Sequence, residues 1–337
     1  MKIGHIDLEK EILVIAEIGN NHEGSFTVAQ QMIKEAAKTG AQAVKFQTIR
    51  AEYLVSRRNV QRYEQLKAFE FTRNEFIKLS ETAASEGLMF LSTPFDIDSV
   101  DYLDAIVPAF KIASGDNNFF PLLEKVAGTG KPVIISSGVS DMATIRRAKR
   151  FIEAKWKEND IDQDIAVLHC VSSYPVPPSE VNLNAVRTLK NTLKCTVGYS
   201  DHSLGVESAV LSIALGARII EKHFTLDKNY SSFRDHQLSV DPPEMKSLVE
   251  RIRDAMVLLG SGRKEVQDSE MNAAGSIRRS IAARHDLTVG RVLEWTDIKW
   301  IREPNGLPPG QEQKVLGKTL KVGLSRDDLI IPGKHLK

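Results

Sequence analysis

Val197-Gly-Tyr-Ser-Asp-His202 and Ile220-Glu-Lys-His223-Phe224 are the two stretches of this 337-residue chain that decide its fold. Each is a short apolar run that predicts a β-strand with a histidine at its end, and residues 206–215 between them have the apolar spacing of a helix. Parallel strands joined by one helix direct their carboxyl ends to the same edge of a sheet. Either histidine alone would more often be structural, but the pair at matched strand ends predicts a divalent-metal site.

Strand-like runs and helical patterns alternate along most of the chain. The strands are predicted at residues 12–18, 43–47, 89–93, 109–114, 132–137, 165–170, 196–200 and 218–223. The helices are predicted at residues 26–38, 73–86, 97–105, 121–127, 143–154, 183–191, 206–215 and 243–259. Apolar runs without polar alternation indicate strands that are buried on both faces of a parallel sheet. Eight strands with eight helices in about 250 residues predict an α/β fold of the (β/α)8 TIM-barrel type. A doubly wound open sheet is the alternative, although its Gly-rich first turn is missing.

Composition limits the partners of the protein. The net charge is +1 and the hydrophobic content is 42%, so we expect no general attraction to nucleic acid or to a membrane surface. Apolar stretches are too short to span a bilayer, and the N-terminus does not resemble a signal peptide. Cys170 and Cys195 lie in or near apolar runs. Buried, reduced thiols are the favoured interpretation and suit a cytoplasmic location.

The character of the sequence changes after Leu259. A polar segment without apolar periodicity follows and suits a linker. Beyond it come brief apolar runs separated by dense Gly/Pro turns, which predict a compact module of short strands. The predicted organisation is therefore a catalytic barrel at residues 1–262, a linker at 263–279 and a small C-terminal domain at 280–337. So small a module is expected to pack against a partner surface.

Enzymes with this barrel place their chemistry at the carboxyl ends of the strands. Lys45 and Lys111 are charged residues inside apolar strands, which is costly unless they are paired or used. Together with hydroxyl residues on several strand ends, they form a plausible cradle for an anion that carries phosphate and carboxylate groups. Glu17, also in an apolar strand, would have a raised pKa suited to proton transfer, or would form a salt bridge to Lys45. No phosphate-binding loop typical of nucleoside triphosphate enzymes is present in the sequence.

Eight motifs now match a family in the right order. They are Ala16-Glu-Ile-Gly-Asn-Asn-His-Glu-Gly24, Val44-Lys-Phe-Gln47, Ser92-Thr-Pro-Phe95, Lys111-Ile-Ala-Ser-Gly-Asp116, Ser136-Ser-Gly138, His169-Cys-Val-Ser-Ser-Tyr-Pro175, Tyr199-Ser-Asp-His202 and Glu221-Lys-His-Phe224. The chain resembles the sialic acid synthases, the phosphoenolpyruvate-dependent nonulosonate synthases. The tail from about Ser280 resembles the antifreeze-like (SAF, β-clip) domain that follows the barrel in that family. The resemblance covers nearly the whole chain.

The resemblance implies condensation of phosphoenolpyruvate with an N-acyl hexosamine in its open-chain aldehyde form, with release of phosphate and dependence on Mn²⁺ or Mg²⁺. It implies that His202 and His223 bind the metal and that Glu17 handles a proton. Phosphoenolpyruvate would be held by Lys45, Thr93, Lys111, Ser114, Ser136, Ser172 and Ser200. The remaining substrate-binding residues would be Gln47, Phe95, Asp116, Tyr174, Asp235 and Arg302.

Three positions depart from the pattern of many family members. Asp116 stands where some members have a longer acidic residue, and Ser172 stands where some have asparagine. Many bacterial members carry a Lys-Arg-Pro-Gly turn in the C-terminal domain, whose arginine reaches the sugar bound to the partner subunit. Here the turn reads Ile301-Arg-Glu-Pro-Asn-Gly306, so Arg302 replaces it approximately. The resemblance also implies a domain-swapped homodimer in which each tail caps the neighbouring barrel.

Several alternatives stay open. N-acetylmannosamine is the first choice of acceptor, and the alternative is a diacetamido-trideoxyhexose, as for a legionaminic or pseudaminic acid synthase or a spore-coat polysaccharide synthase. A barrel enzyme that takes a pentose or tetrose phosphate would need a second basic pocket, and no extra Arg/Lys cluster appears on the strand ends. A metal-dependent aldolase without phosphoenolpyruvate is a further possibility. An ice- or carbohydrate-binding role for the tail is disfavoured by its many charged residues, among them Arg284, Arg291 and Lys299.

Overall fold

A computed structural model describes residues 1–337, except for the side chains of residues 272, 274 and 275. The chain divides into two compact units, Met1–Gly260 and Ser261–Lys337. No helix among the described residues is both long enough and apolar enough to cross a membrane.

The first unit contains ten strands. They are β1 (Lys2–Ile3), β2 (Ile6–Asp7), β3 (Leu13–Gly19), β4 (Ala43–Thr48), β5 (Met89–Pro94), β6 (Phe110–Ile112), β7 (Val133–Ser136), β8 (Ile165–Cys170), β9 (Thr196–Asp201) and β10 (Ile219–His223). Strands β3 to β10 form one parallel sheet in the order β5-β4-β3-β10-β9-β8-β7-β6. The two end strands, β5 and β6, contact each other and nearly close the sheet into a barrel. The predicted TIM-type barrel is therefore confirmed, and the open doubly wound sheet is excluded.

Eleven helices belong to the first unit. They are α1 (Phe26–Lys38), α2 (Ala51–Leu54), α3 (Val60–Phe69), α4 (Arg73–Ser85), α5 (Ile97–Leu103), α6 (Phe120–Ala127), α7 (Met142–Glu158), α8 (Asn184–Leu193), α9 (Glu207–Ala214), α10 (Arg234–Leu238) and α11 (Pro242–Leu259). Side-chain caps start several of them, and α4 and α11 begin with complete capping boxes at Thr72 and Asp241. The eight predicted helices are all present. The apolar pattern of the sequence does not predict α2, α3 or α10.

Apolar side chains of the first unit form two large clusters, one outside the barrel and one inside it. The larger cluster lies between the sheet and the surrounding helices. A second cluster fills the inside of the barrel at the amino-terminal ends of the strands, where Leu13, Ile15 and Ile219 meet Ile3 and Ile6 from the hairpin of β1 and β2. Because this hairpin adds apolar side chains to that cluster, the interior at this end is a packed core rather than a pore. At the opposite, carboxyl-terminal end of the strands, polar residues line the interior of the barrel.

The second unit has its own small core. Its elements are α12 (Asp268–Ile277), β11 (Ser280–Ala283), β12 (Ile298–Ile301) and α13 (Pro332–His335), with β11 and β12 antiparallel. Ten buried apolar residues form the core, among them Ile281, Leu293 and Ile298. The buried carboxylate of Asp297 pairs with Arg291 at 3.1 Å. Helix α12 lies within the segment that the sequence predicted as a linker.

Candidate active site

Alternate residues of each barrel strand point into the barrel, so each strand carries one inward-facing row. Along β10 this row reads Ile219, Glu221 and His223, and along β6 it includes Lys111. Apolar members of these rows belong to the interior core at the amino-terminal end. The polar members therefore come together at the carboxyl end, where the chemistry of such barrels is placed.

The polar ends surround a cavity of about 230 Å³. The predicted site residues that line it are Glu17, Lys45, Gln47, Thr93, Phe95, Lys111, Ser114, Ser136, Ser172, Tyr174, Ser200, His202, His223 and Asp235. These side chains come from all eight strands or from the loops that follow them. The structure thus brings into one cavity residues that are as far apart in the sequence as Glu17 and Asp235.

Two predicted residues do not line this cavity. Asp116 lies in the short 3₁₀ turn Ser114–Asp116 after β6, and its Oδ2 atom is buried without a hydrogen-bond partner. Burial raises the pKa of Asp116 to about 6. Arg302 is an exposed residue of the second unit that directly follows β12.

Lys45 stands at the centre of a buried ion network. Its Nζ atom lies 2.8 Å from Glu17 Oε2, donates to Thr93 Oγ1 at 3.1 Å and lies 3.8 Å from Glu221 Oε2. Burial raises the pKa of Glu17, and the attraction of Lys45 only partly offsets it. Both interpretations of Glu17 made from the sequence, a salt bridge to Lys45 and a carboxyl of raised pKa, describe this arrangement.

Lys111 forms the second half of the network. Its Nζ atom donates to Ser136 Oγ at 2.6 Å and lies 3.7 Å from Glu221 Oε1, and burial lowers its pKa. Glu221 also accepts a hydrogen bond from Ser200 Oγ at 2.9 Å. Burial opposes ionisation of Glu221, yet Lys111 and Lys45 outweigh it and lower its pKa. One carboxylate therefore lies between two ammonium groups that can also bind a substrate anion.

The two strand-end histidines face each other with ring centroids 5.4 Å apart. His202 Nδ1 contacts the carbonyl oxygen of Val171 at 2.9 Å, so this nitrogen donates, and when the ring is neutral the Nε2 lone pair is available. Burial and the neighbouring His202 lower the pKa of His223 well below its usual value, which keeps its ring neutral. His223 Nδ1 is buried without a hydrogen-bond partner.

This arrangement fits a divalent metal ion. A buried imidazole nitrogen without a partner costs roughly 1–3 kcal/mol, and a bound cation would satisfy it. No group of three or more His, Cys, Asp or Glu residues with metal-binding geometry occurs among the described residues. Two nitrogen ligands would therefore be completed by water or substrate oxygens, which Mn²⁺ and Mg²⁺ accept more readily than structural zinc does.

The hydroxyl groups of Ser114 and Ser172 lie close to the backbone of Gly138, so three loops meet in the cavity. The backbone N–H of Gly138 donates to Ser114 Oγ at 3.1 Å. A Cβ atom at Gly138 would lie 2.7 Å from Ser114 Oγ and would also clash with Ser172 Oγ. Glycine at this position is therefore what allows the two serines to approach the same loop.

Aromatic and acidic side chains form the outer wall of the cavity. Tyr174 stacks on His202 with ring centroids 4.2 Å apart. Asp235 is buried and accepts a hydrogen bond from Arg234 Nε at 3.2 Å. Burial raises the pKa of Asp235, although Arg234 opposes the shift. Gln47 donates to Glu17 Oε1 at 3.3 Å, so it connects this wall to the ion network.

Five further residues with functional side chains line the cavity but were not predicted as site residues: Asn20, Arg62, Cys170, Glu221 and Arg234. Glu221 could have been found from the sequence, because it lies two positions before His223 and therefore on the same face of the strand. Arg62 gave no such signal, because it lies on helix α3, which the sequence analysis did not predict.

Comparisons with known proteins indicate the family of this chain. A family model described as the NeuB family matches residues 32–264. An uncharacterised protein of Methanocaldococcus jannaschii is 44% identical over 333 residues, which cover 98% of this chain and 97% of that protein. The N,N'-diacetyllegionaminic acid synthase of Legionella pneumophila is 38% identical over 326 residues, which cover 93% of this chain and 91% of that enzyme. The solved structure of the N-acetylneuraminic acid (sialic acid) synthetase of Leptospira borgpetersenii matches with a TM-score of 0.76 at 36% identity, over 81% of this chain and 94% of that one.

Proposed function

Because the chain belongs to the NeuB family, we propose that it condenses phosphoenolpyruvate with the open-chain aldehyde of an N-acyl hexosamine and releases inorganic phosphate. The predicted resemblance to the sialic acid synthases and the predicted enzyme class, a carbon–carbon bond-forming transferase, are confirmed by the relatives. The observation that carries the proposed reaction is the pair of buried lysines, Lys45 and Lys111, at the end of the cavity that also holds two histidines.

Phosphoenolpyruvate carries a phosphate and a carboxylate, and both need cationic or hydroxyl partners in a buried site. Lys45 and Lys111 supply the charge, and Thr93, Ser136 and Ser200 already hydrogen-bond to members of the ion network. Ser114 and Ser172 lie beside them and would complete the hydroxyl set. The substrate anion would share the two ammonium groups with Glu221.

The chemistry joins C3 of phosphoenolpyruvate to the aldehyde carbon, adds water at C2 and breaks the C–O bond to phosphate. Glu17 would hold or move the proton of the attacking water or of a sugar hydroxyl, since burial raises the pKa of its carboxyl and so favours its taking up a proton. His202 and His223 would bind Mn²⁺ or Mg²⁺, which supplies Lewis-acid polarisation of the aldehyde oxygen. Exchange of Glu17 for glutamine should therefore lower kcat more than it raises KM.

The acceptor would bind against the outer wall, where Gln47, Phe95, Tyr174 and Asp235 present polar and aromatic surface. Asp116 would contact the sugar from the loop after β6. N-acetylmannosamine is the acceptor we propose first. A diacetamido-trideoxyhexose is the second candidate, because a relative with 38% identity is an N,N'-diacetyllegionaminic acid synthase.

We further propose that residues 1–262 form the barrel domain, that residues 263–279 form a linker, and that residues 280–337 form an antifreeze-like SAF domain. In the proposed homodimer, the tail of one subunit caps the barrel of its partner, and the exposed Arg302 supplies a sugar contact there. Mixing a His223→Ala chain with a chain that lacks residues 280–337 should restore activity if the tails exchange. A cytoplasmic location is proposed from the two free cysteines, Cys170 and Cys195, which suit a reducing compartment.

One assay tests the reaction. Purified protein is mixed with phosphoenolpyruvate, Mn²⁺ and either N-acetylmannosamine or the diacetamido-trideoxyhexose, and phosphate release and the nine-carbon product are measured. Release with one of these sugars, and none when the sugar or the metal is left out, is expected. Consumption of a sugar without phosphoenolpyruvate would instead indicate a metal-dependent aldolase.

A further inference from the structure

The loop after β3 contains a motif, residues 20–23, whose last member has no role in the proposed chemistry. Asn21 and Glu23 of this motif both reach across to the segment that follows β10. That segment, residues 225–239, includes α10 and places Asp235 in the wall of the cavity. Asp235 is a proposed contact of the acceptor sugar, so the residues that hold this segment also set the position of that contact.

Asn21 fastens the two ends of the segment. Its buried side-chain amide donates to the carbonyl oxygen of Phe224 and to Ser239 Oγ, each at 2.9 Å. Phe224 directly precedes the segment, and Ser239 is its last residue. Ser239 Oγ in turn donates to the carbonyl oxygen of Asp235 at 2.5 Å. The ends of the segment are therefore attached to the barrel without any contribution from Glu23.

Glu23 holds the middle of the segment. Its Oε1 atom lies 2.9 Å from His236 Nε2 and accepts a hydrogen bond from Ser231 Oγ. The other ring nitrogen, His236 Nδ1, lies 2.7 Å from Thr225 Oγ1. The buried imidazole is therefore fixed on both sides, between the end of β10 and the loop after β3. Because His236 directly follows Asp235, fixing this ring also fixes the backbone that carries the Asp235 carboxylate.

The backbone at Glu23 is in an uncommon conformation. Its φ is 45°, in the left-handed region that residues other than glycine rarely adopt. A Cβ atom at the following Gly24 would lie 2.0 Å from the carbonyl oxygen of Ala68, so this turn packs directly against the end of α3. Such conformations persist where the surrounding structure holds them, and they are concentrated at functional sites.

We propose that Glu23 is a positioning residue for the acceptor sugar, which acts through Ser231 and His236 to hold Asp235 at the cavity. Glu23 does not itself line the cavity that contains Asp235. The inference deepens the proposed function and rests on it, since the contact between Asp235 and the sugar is part of that function. A purely structural role of Glu23 would affect both substrates alike, whereas a positioning role affects the acceptor alone.

Steady-state kinetics tests the proposal, with whichever of N-acetylmannosamine and the diacetamido-trideoxyhexose releases phosphate as the acceptor. Glu23→Ala should raise KM for the acceptor about tenfold and leave KM for phosphoenolpyruvate unchanged, because Lys45 and Lys111 lie on other strands. Glu23→Gln keeps an oxygen that can accept both hydrogen bonds and should restore most of the acceptor affinity. Glu81→Ala, at an exposed glutamate of α4, is the matched control and should behave as wild type.

Combination with Asp235→Ala shows whether Glu23 acts through Asp235. If it does, Glu23→Ala adds no further rise in acceptor KM once Asp235 is alanine. An equal rise in both backgrounds, an equal rise for both substrates, or a wild-type acceptor KM in Glu23→Ala would overturn the proposal. A wild-type acceptor KM in Asp235→Ala would also overturn it, while phosphate release, and with it the proposed reaction, would stand.

Hydrogen–deuterium exchange separates this proposal from the reaction itself. If neither sugar is turned over, the proposed function fails, and amide exchange then decides whether Glu23 holds the segment. Faster exchange in residues 225–239 of Glu23→Ala, which Glu23→Gln restores and Glu81→Ala does not show, supports the hold. Unchanged exchange in the segment, or faster exchange throughout the barrel, contradicts it.

Discussion

Strands β9 and β10 carry buried polar and charged residues on both of their faces. Asp201 and Lys222 point out of the barrel, and Ser200 and Glu221, one position earlier, point into it. All four residues are buried, so both sets lose comparable contact with water. They differ in how completely their polar atoms are hydrogen-bonded.

The outward pair is fully satisfied. Lys222 Nζ lies 3.0 Å from Asp201 Oδ2 and also donates to the carbonyl oxygen of Ser203. Asp201 Oδ1 accepts from Tyr199 OH at 3.1 Å and from the backbone N–H of Ser203 at 2.8 Å. These atoms have their partners within the protein, which is the arrangement expected of a structural ion pair.

The inward set is incomplete. Glu221 Oε2 and His223 Nδ1 are buried without hydrogen-bond partners, and the ammonium groups of Lys45 and Lys111 lie at 3.8 and 3.7 Å from Glu221. Unsatisfied buried polar atoms are costly, and they persist at sites where a ligand completes them. The two faces therefore differ in how completely their polar atoms are paired rather than in burial or charge, which fits the proposed roles of a structural pair on the outside and a substrate site on the inside.

The largest effect is expected at an inward histidine. His202→Ala should lower turnover by about a thousandfold or more, because the proposed metal ion would lose one of its two protein ligands, while the fold persists. Phosphate release, Mn²⁺ binding by calorimetry and circular dichroism measure the three properties. His5→Ala, at an exposed histidine outside the cavity, is the control. Full activity of His202→Ala, or of wild type in excess chelator, would disprove the role of the metal.

The second largest effect is expected on the stability of the fold, after substitution of the outward pair. Lys222→Met leaves the buried Asp201 without its charge partner and should cost about 3–5 kcal/mol of unfolding free energy. Urea unfolding measures it, and Asp201→Leu/Lys222→Met should recover part of the loss because neither charge remains. Lys111→Met, on the inward face, should cost clearly less, since Glu221 keeps Lys45 and Ser200. Equal costs for the two lysines would remove the distinction between the faces.

Substrate binding provides the third effect. Lys111→Ala should raise KM for phosphoenolpyruvate about 10- to 100-fold, because the desolvated substrate anion loses a charged partner. Initial rates over a range of phosphoenolpyruvate concentrations check this. Lys125, a partly exposed lysine on α6 that lines no part of the cavity, is the control and should tolerate alanine without change in KM. A KM that stays at the wild-type value in Lys111→Ala refutes the assignment.

The smallest effect concerns Asp116. Its folded-state pKa of about 6 lies above its ordinary value of 3.8, so the folded protein binds more protons between these pH values. The contribution of Asp116 to stability is therefore fully present below pH 3.8 and is lost as the pH rises through about 6. Asp116→Asn should stabilise the protein at pH 7 by roughly 1 kcal/mol, allowing for partial solvent screening, and should lose this gain towards pH 4.

Urea unfolding at pH 4 and pH 7 measures this difference. Asp162→Asn, at an exposed position, should show the same small change at both values. A stabilisation by Asp116→Asn that is as large at pH 4 as at pH 7 would show that the buried carboxyl does not titrate between them.

Regular apolar patterns made most of the barrel predictable. Strand β8 and helix α1 have the predicted bounds, because uninterrupted apolar residues and a full amphipathic stripe mark buried elements clearly. The other seven barrel strands differ from their predicted bounds by one or two residues at one or both ends. Because parallel strands that are joined by helices have their carboxyl ends at the same edge of the sheet, correct strand positions were enough to predict most of the residues that line the cavity.

Elements without an apolar pattern were missed for the same reason. Helix α3 buries only Leu66 and Phe69, so its sequence shows no apolar stripe, and Arg62 went unnoticed with it. The strands β1 and β2 have two residues each, too few for any periodicity. Glu221 was read as part of a motif, but its position between two lysines depends on the register of three strands, which the sequence does not specify.

The most direct test of the account is the anomalous difference map of a crystal grown with Mn²⁺ and phosphoenolpyruvate. The account predicts one strong manganese peak coordinated by His202 and His223, with the phosphoenolpyruvate anion in contact with Lys45 and Lys111 and no ligand at the Asp201–Lys222 pair. A manganese peak away from both histidines, or phosphoenolpyruvate bound outside the inward-facing lysines, would contradict it.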